Sequence, residues 1–289
     1  MNKHGLVVFL VLNAIILLAG CARKPNDGFR PPLAENPLEF HYDNWSRAKL
    51  LSGFYRTTFE YSDGDKLSLK AEVVVEPDAR SYIKLISDRG TEAMVTITPE
   101  FVNLLNNRDK YYINEPTTAE VAERMVGLHL PSQEAACLLA GSGFDQERME
   151  HIYADPAADG GVALRMFHAT EDIRATGRID EFGRLRSITY YDATTDEALI
   201  SADYLSFRHE GQAGLVWPGI VEIYLPRRNE HITLRATDVD INNDYVLGRA
   251  DKFVFARLVR GTRLHLEDIP PGAPLLYRDL KVYIQDDER

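Results

Sequence analysis

The chain has 289 residues, a 45% hydrophobic fraction and a formal net charge of −11. This is the composition of a globular protein with a core of its own, sized for one large β domain or two small ones. The acidic balance, with no Lys/Arg cluster of the kind that follows a phosphate backbone, argues against nucleic acid as a partner.

The one long apolar run comes first, from Leu6 to Leu18 after Lys3, interrupted by Asn13. It falls short of the roughly 20 residues of a spanning helix and reads as the h-region of a signal peptide over residues 1–20. It ends in Leu18-Ala19-Gly20-Cys21, which resembles the lipobox of bacterial lipoproteins. That resemblance implies a thioether-linked diacylglycerol on Cys21, cleavage before it, and a further acyl chain of the palmitate type on the new amine. Several chains, at about 0.8 kcal/mol per buried methylene, make an anchor effectively permanent. The competing reading is an ordinary secretory signal with the cysteine there by chance. Ala22 stands where many Gram-negative cells use aspartate to retain a lipoprotein in the inner membrane. The resemblance therefore points to the outer membrane, facing the periplasm, with inner-membrane anchoring left open. Removing Lys3 with the signal takes the formal charge from −11 to −12. Cys21 and Cys137 are then the only cysteines, so no intrachain disulfide is expected.

Residues 21–45 read as a tether, Pro-rich and without apolar period from Ala22 to Pro37. A short helix is predicted around Asn44 to Gly53, with Asn44 as cap and Gly53 as stop. The period then changes to two. The runs "GFYRTTFEYS" and "KLSLKAEVVVE" flank Asp63-Gly64-Asp65, a hairpin turn signal, and "SYIKLIS", "AMVTIT", "FVNLLN" and "KYYIN" follow as short strands. Two helices are predicted near 117–126 and 131–140, the first capped by Thr117 or Thr118, the second begun by Pro131 and stopped by Gly141. Cys137 sits among alanines and leucines in the second, as a small buried hydrophobe. Strands resume from Val162 to "HITLRATDVDIN" and end in "DKFVFARL". The fold class is mainly β (α+β). One long antiparallel sheet with few helices covers its apolar face most economically as an incomplete barrel over residues 46–270, with the helices in its mouth and a C-terminal tail at 271–289.

The segment "VGLHLPSQEAACLLAGSG", with Gly127, Leu130, Pro131, Leu139 and Gly141 at matching positions, resembles LolB-type outer-membrane lipoproteins and their LolA-like relatives. "LLSGFYRTTFEYSDGDKLSLKAEVVVEP" is similar to the opening strands of that fold, "WPGIVEIYLPRRNEHITLRATDVDINND" to its proline-marked strand pair, and "DKFVFARL" to its Phe-rich final strand. The order of these segments from Ser46 to Asp268 carries the resemblance. It implies a half-barrel whose apolar cavity takes acyl chains during carriage of lipoproteins or other lipids. One position departs: LolB-type receptors carry a protruding loop with an exposed leucine after the third strand, whereas "SDRG" stands here, with Arg89 in the leucine's place. That departure puts membrane delivery in doubt and leaves fold and cavity untouched.

No catalytic motif emerges. The histidines at 41, 129, 151, 168, 209, 231 and 265 form no H-x-x-x-H pair, "GSG" at Gly141–Gly143 is not a nucleophile elbow, and "DVDINND" lacks the glycine and glutamate of a calcium loop. The expectation is a non-enzyme with no metal and no cofactor beyond the covalent lipid. Tyr55, Phe59, Tyr82, Phe253 and Phe255 are candidates to line a lipid cavity, or else form an ordinary packed core. Three readings follow: an acyl-chain carrier with a membrane anchor and a lipid or lipoprotein cargo; a non-catalytic scaffold with a filled interior that binds an envelope partner; and an envelope hydrolase with a site assembled from distant residues. An apolar cavity of roughly 300–1,000 Å³ open at one mouth favours the carrier, and a filled interior the scaffold.

Overall fold

The computed structural model describes residues 33–76, 80–169, 172–210, 215–242 and 262–269. Helix α1 (Pro37–Ser46) comes first, started by Asn36, whose side chain accepts from the Glu39 N–H at 3.2 Å, with Pro37 in the first turn. It therefore begins earlier than the helix predicted around Asn44 to Gly53, and takes up the last part of the stretch read as tether. Asn44 is not a cap because its amide is committed to tertiary hydrogen bonds, and Gly53 lies inside a strand.

A first meander follows: β1 (Leu51–Glu60), β2 (Lys66–Glu76), β3 (Arg80–Ser87), β4 (Gly90–Ile97), β5 (Phe101–Asn106) and β6 (Tyr111–Pro116). Helices α2 (Ala119–Val126) and α3 (Ser132–Ala140) interrupt it. Thr118 caps α2 by accepting from the Val121 N–H, and both helices stop at a glycine in the left-handed region, Gly127 and Gly141. The second meander comprises β7 (Met149–Pro156), β8 (Val162–His168), β9 (Ile173–Ile179), β10 (Leu185–Asp192), β11 (Ala198–Glu210), β12 (Leu215–Leu225) and β13 (Glu230–Ile241). A two-residue strand, β14 (Thr262–Arg263), and a 3-10 turn at Leu266–Asp268 complete the described residues.

All these strands form one sheet in the order β14-β6-β5-β4-β3-β2-β1-β13-β12-β11-β10-β9-β8-β7. β1, which opens the first meander, pairs antiparallel with β13, which ends the second, and so joins the two; among the described residues only β14 pairs parallel, with β6. The edges, β14 and β7, do not meet, so the sheet is an open half-barrel. β7 escaped the sequence reading because most of it is exposed or half-buried and carries no apolar alternation, and a bulge between Glu150 and Tyr153 puts His151 at φ 50°. β14 is too short to leave a pattern.

The concave face holds the core. In β2 the alternating Ala71, Val73 and Val75 join it, with Leu67 and Leu69 packed at its margin. α2 and α3 lie across this face, and α3 is buried almost throughout. α1 packs against β9 and β12 at one end. Pro218, inside β12, pairs with Phe207 of β11, but β12 pairs with β13 only from Ile220 onward, so on that side no ladder asks for the missing N–H. A smaller cluster of Leu50, Val74, Tyr82 and Met94 lies on the opposite face.

Candidate functional site

Antiparallel order brings the turns after β1, β3, β5, β10 and β12 to one end of the half-barrel, and puts α1 at the other. The two ends differ. At the α1 end, Asn44 bonds the backbone of Val216 twice, donating to its carbonyl at 2.8 Å and accepting from its N–H at 2.9 Å. The His41 Nε2 lies 3.0 Å from the Ser142 carbonyl, and its ring stacks on Phe144. Burial pushes the His41 pKa from 6.5 down to about 4, so the ring stays neutral. A cleft of about 290 Å³ remains beside α1, walled by Trp45, Phe144, Lys49 and Asp145, and burial raises the Asp145 carboxyl. Cys137 borders it, buried in α3 and in no disulfide, as a small apolar side chain should be.

Midway along the concave face an apolar slot lies beneath the α2–α3 connection, between Phe59, Ile83 and Val95 of the sheet and Val126, Leu128 and Leu139 above. Its volume is about 30 Å³, room for only about two waters, so the slot beneath the helices is narrow. The connection is held to the hairpin end through Glu123. Its carboxylate sits 2.6 Å from His129 Nδ1 and accepts from Arg227 at 3.2 Å, while Arg228 donates to the Glu123 carbonyl. Arg227 also pairs with Glu197 at 3.1 Å. These contacts hold the Glu123 carboxyl below the usual range, chiefly through the His129 hydrogen bond.

At the hairpin end the concave face of β2–β5 is open. A groove of about 490 Å³ has Leu67, Leu69, Leu85 and Ala93 as its floor, and Leu85 also borders the slot. Charges ring the groove: Asp88 and Arg89 on the β3–β4 turn, Glu92 on β4, Arg108 and Asp109 on the β5–β6 turn. The β3–β4 turn is tight, Ser87 pairing with Gly90 across it, Ser87 donating to Glu92 and the Arg89 N–H donating to Ser87 Oγ at 3.0 Å. No protruding loop stands there.

The candidate lining residues fall in different places. Phe59 borders the slot, and Tyr55 is buried in the main core. Tyr82 stands on the other face of the sheet, its hydroxyl 3.5 Å from the Met94 sulfur, because it alternates with the inward Ser81 and Ile83. Phe253, Phe255 and Cys21 lie outside the described residues. The buried pair of Glu134 on α3 and His168 on β8, with Oε1 and Nε2 2.9 Å apart and neither side chain exposed, was not read from sequence, where 34 residues separate them. Asp238 and Asp240 are on β13, and among the described residues no three His, Cys, Asp or Glu side chains cluster as a metal would need. Among them too, no helix is long and apolar enough to cross a membrane.

Solved structures supply the likeness. The "putative outer membrane lipoprotein-sorting protein domain" of Vibrio parahaemolyticus superposes with a TM-score of 0.52 at 10% identity, over 73% of this chain and 98% of that one. The likeness is one of fold. A LolA superfamily protein from Nitrosomonas europaea has a TM-score of 0.49 at 10% identity over 74% of this chain and 96% of its own. A DUF1329 family protein from Desulfovibrio piger has 0.49 at 11% identity over 72% and 94%. No family model matches the sequence, and no curated protein matches it.

Proposed function

We propose that this LolA/LolB-like chain is a periplasm-facing lipoprotein, anchored through Cys21 to the outer membrane, that takes acyl chains into its half-barrel during transport or localisation of lipids or lipoproteins. The observation that carries this reading is the open groove at the hairpin end, whose apolar floor shares Leu85 with the slot beneath α2 and α3. A chain seated on Leu67, Leu69 and Ala93 needs only the α2–α3 connection to lift for its tail to enter the slot, because apolar burial is non-directional and repays each methylene by about 0.8 kcal/mol. No covalent chemistry is proposed.

The scaffold reading is favoured by one specific observation, the slot's volume of about 30 Å³. Native mass spectrometry of the soluble part of the chain, Ala22 to Arg289, with organic extraction and a fluorescent fatty-acid probe, separates the two. The carrier is expected to arrive with lipid near unit stoichiometry or to take up the probe saturably; a lipid-free protein that refuses the probe sinks it. For the anchor, labelled palmitate is expected on the full chain and absent from Cys21→Ser.

A further inference from the structure

The convex face of the sheet carries a row of like charges that the fold does not need. Arg56 on β1 lies directly opposite Lys70 of β2 on one side and Arg235 of β13 on the other. Arg56 alternates with the buried Tyr55 and Thr57, so the row points away from the core, and all three side chains are exposed. Like charges placed opposite each other across strands are destabilising. Among the described residues none of the three heads is in an ion pair, although a chain with net charge −11 has carboxylates to spare. Carboxylates stand in the flanking pairs instead: Glu222 opposite Asp203, Asp238 opposite Phe54, and Glu72, which Lys84 holds at 3.5 Å. Apolar side chains close the row at both ends, Ile86 beside Lys70, and Ile220 beside Arg235 with Leu205 beyond it. Leu205 is 37% exposed, and Phe54, two residues before Arg56 on the same face, is 48% exposed.

We propose that this face docks on an anionic lipid leaflet, so that the half-barrel rests its convex side on the membrane and turns its groove away from it. The proposal rests on the anchored-lipoprotein reading above, which keeps a bilayer within reach. Charge complementarity selects the occupant. Neighbouring strands are about 4.8 Å apart, so the three cations span about 10 Å and call for an array of anions, which the phosphates of a leaflet supply. Each Lys or Arg held near such a surface raises the bound fraction about fivefold. Phe54 and Leu205 favour lipid over an acidic protein, because apolar side chains beside cations enter the headgroup boundary while the guanidinium and ammonium groups stay with the phosphates. A lipid anchor sets how near the membrane the chain stays. The row sets which side faces it.

The test uses the soluble part of the chain, Ala22 to Arg289, in co-sedimentation with vesicles of dioleoyl phosphatidylcholine, alone or mixed with dioleoyl phosphatidylglycerol. Binding to the mixed vesicles is expected to exceed that to phosphatidylcholine about tenfold at low salt, and to fade as salt screens it. Arg56→Glu, at an exposed position, is expected to lower it by about fivefold or more, with the circular dichroism unchanged. Arg178→Glu, the same change of charge at an exposed position on β9, is expected to leave it as in the wild type. Phe54→Ser is expected to weaken it severalfold. Equal binding to the two kinds of vesicle, no binding to either, or equal losses from Arg56→Glu and Arg178→Glu overturns the docking face. Capture of a poly-glutamate peptide without vesicle binding would make the row a site for acidic protein and remove the membrane claim. Palmitate labelling of Cys21 keeps the two readings apart. A labelled chain whose soluble part ignores vesicles loses the face and keeps the anchor; an unlabelled chain whose soluble part binds them loses the anchor and keeps the face.

Discussion

The two ends of the half-barrel use similar residue types to opposite effect. At the α1 end, polar side chains are buried and spent on backbone: Asn44 on Val216, His41 on Ser142, Tyr190 donating to the Gly143 carbonyl at 2.5 Å. At the hairpin end, polar side chains ring an open groove, and one buried acceptor, Asp109 Oδ1, is unspent. The first arrangement is a plug and contributes stability. The second keeps apolar surface near water, which stability alone does not favour.

Substitutions at the plug should therefore unfold the chain, and substitutions at the groove should not. The largest effect is expected from Gly141→Ala. Gly141 sits at φ +94°, and an added Cβ would lie 2.3 Å from the Pro218 ring, so the left-handed strain adds to an overpacked contact. A loss of about 3 kcal/mol or more, read as a shift in the urea midpoint, is the expected outcome, and a change below about 1 kcal/mol would mean that α3 does not pack as described.

The next concerns pH. The unfolded chain binds a proton at His41 below pH 6.5, while the folded chain resists it until about 4. The stability due to neutral His41 is thus complete above pH 6.5 and is lost as pH falls toward 4, by about 3 kcal/mol in all. His41→Gln should flatten that part of the stability–pH profile relative to wild type. Parallel profiles would show that the ring is not sealed in the plug.

Asn44→Ala leaves the N–H and C=O of Val216 without their side-chain partner in a buried site, at a cost of about 2 kcal/mol. Thermal melts would register it, and they should also show Asn44→Asp destabilised, since a carboxylate cannot donate to the carbonyl. Smallest is Arg89→Ala at the groove, expected within about 0.5 kcal/mol of wild type because the side chain is exposed. A larger loss there would turn the groove from a binding surface into a structural one.

Much of the fold was legible in the chain order. The period-two runs, the turn at Asp63-Gly64-Asp65 and the Pro131 and Gly141 boundaries each report a local preference that the tertiary structure had no reason to override. Position Asn44 shows where such reasoning stops. Asn is a good cap by itself, and Asn36 beside Pro37 is a better one, but only the docking of α1 onto β12 decides which asparagine turns inward. Glu134 and His168 repeat the lesson, since a carboxylate in a helix's first turn looks like an ordinary exposed residue until a strand 34 residues away supplies its partner.

The sequence by itself determined most of the strands and the ends of α2 and α3, because periodicity, capping and turn chemistry act within a few residues. Only the tertiary structure decided that Tyr82 faces away from the slot, that the slot is narrow and that the groove opens at the hairpin end. Those depend on which strand lies beside which and where the helices cross them. Such contacts join residues far apart in the chain, and no local pattern encodes the space left between them.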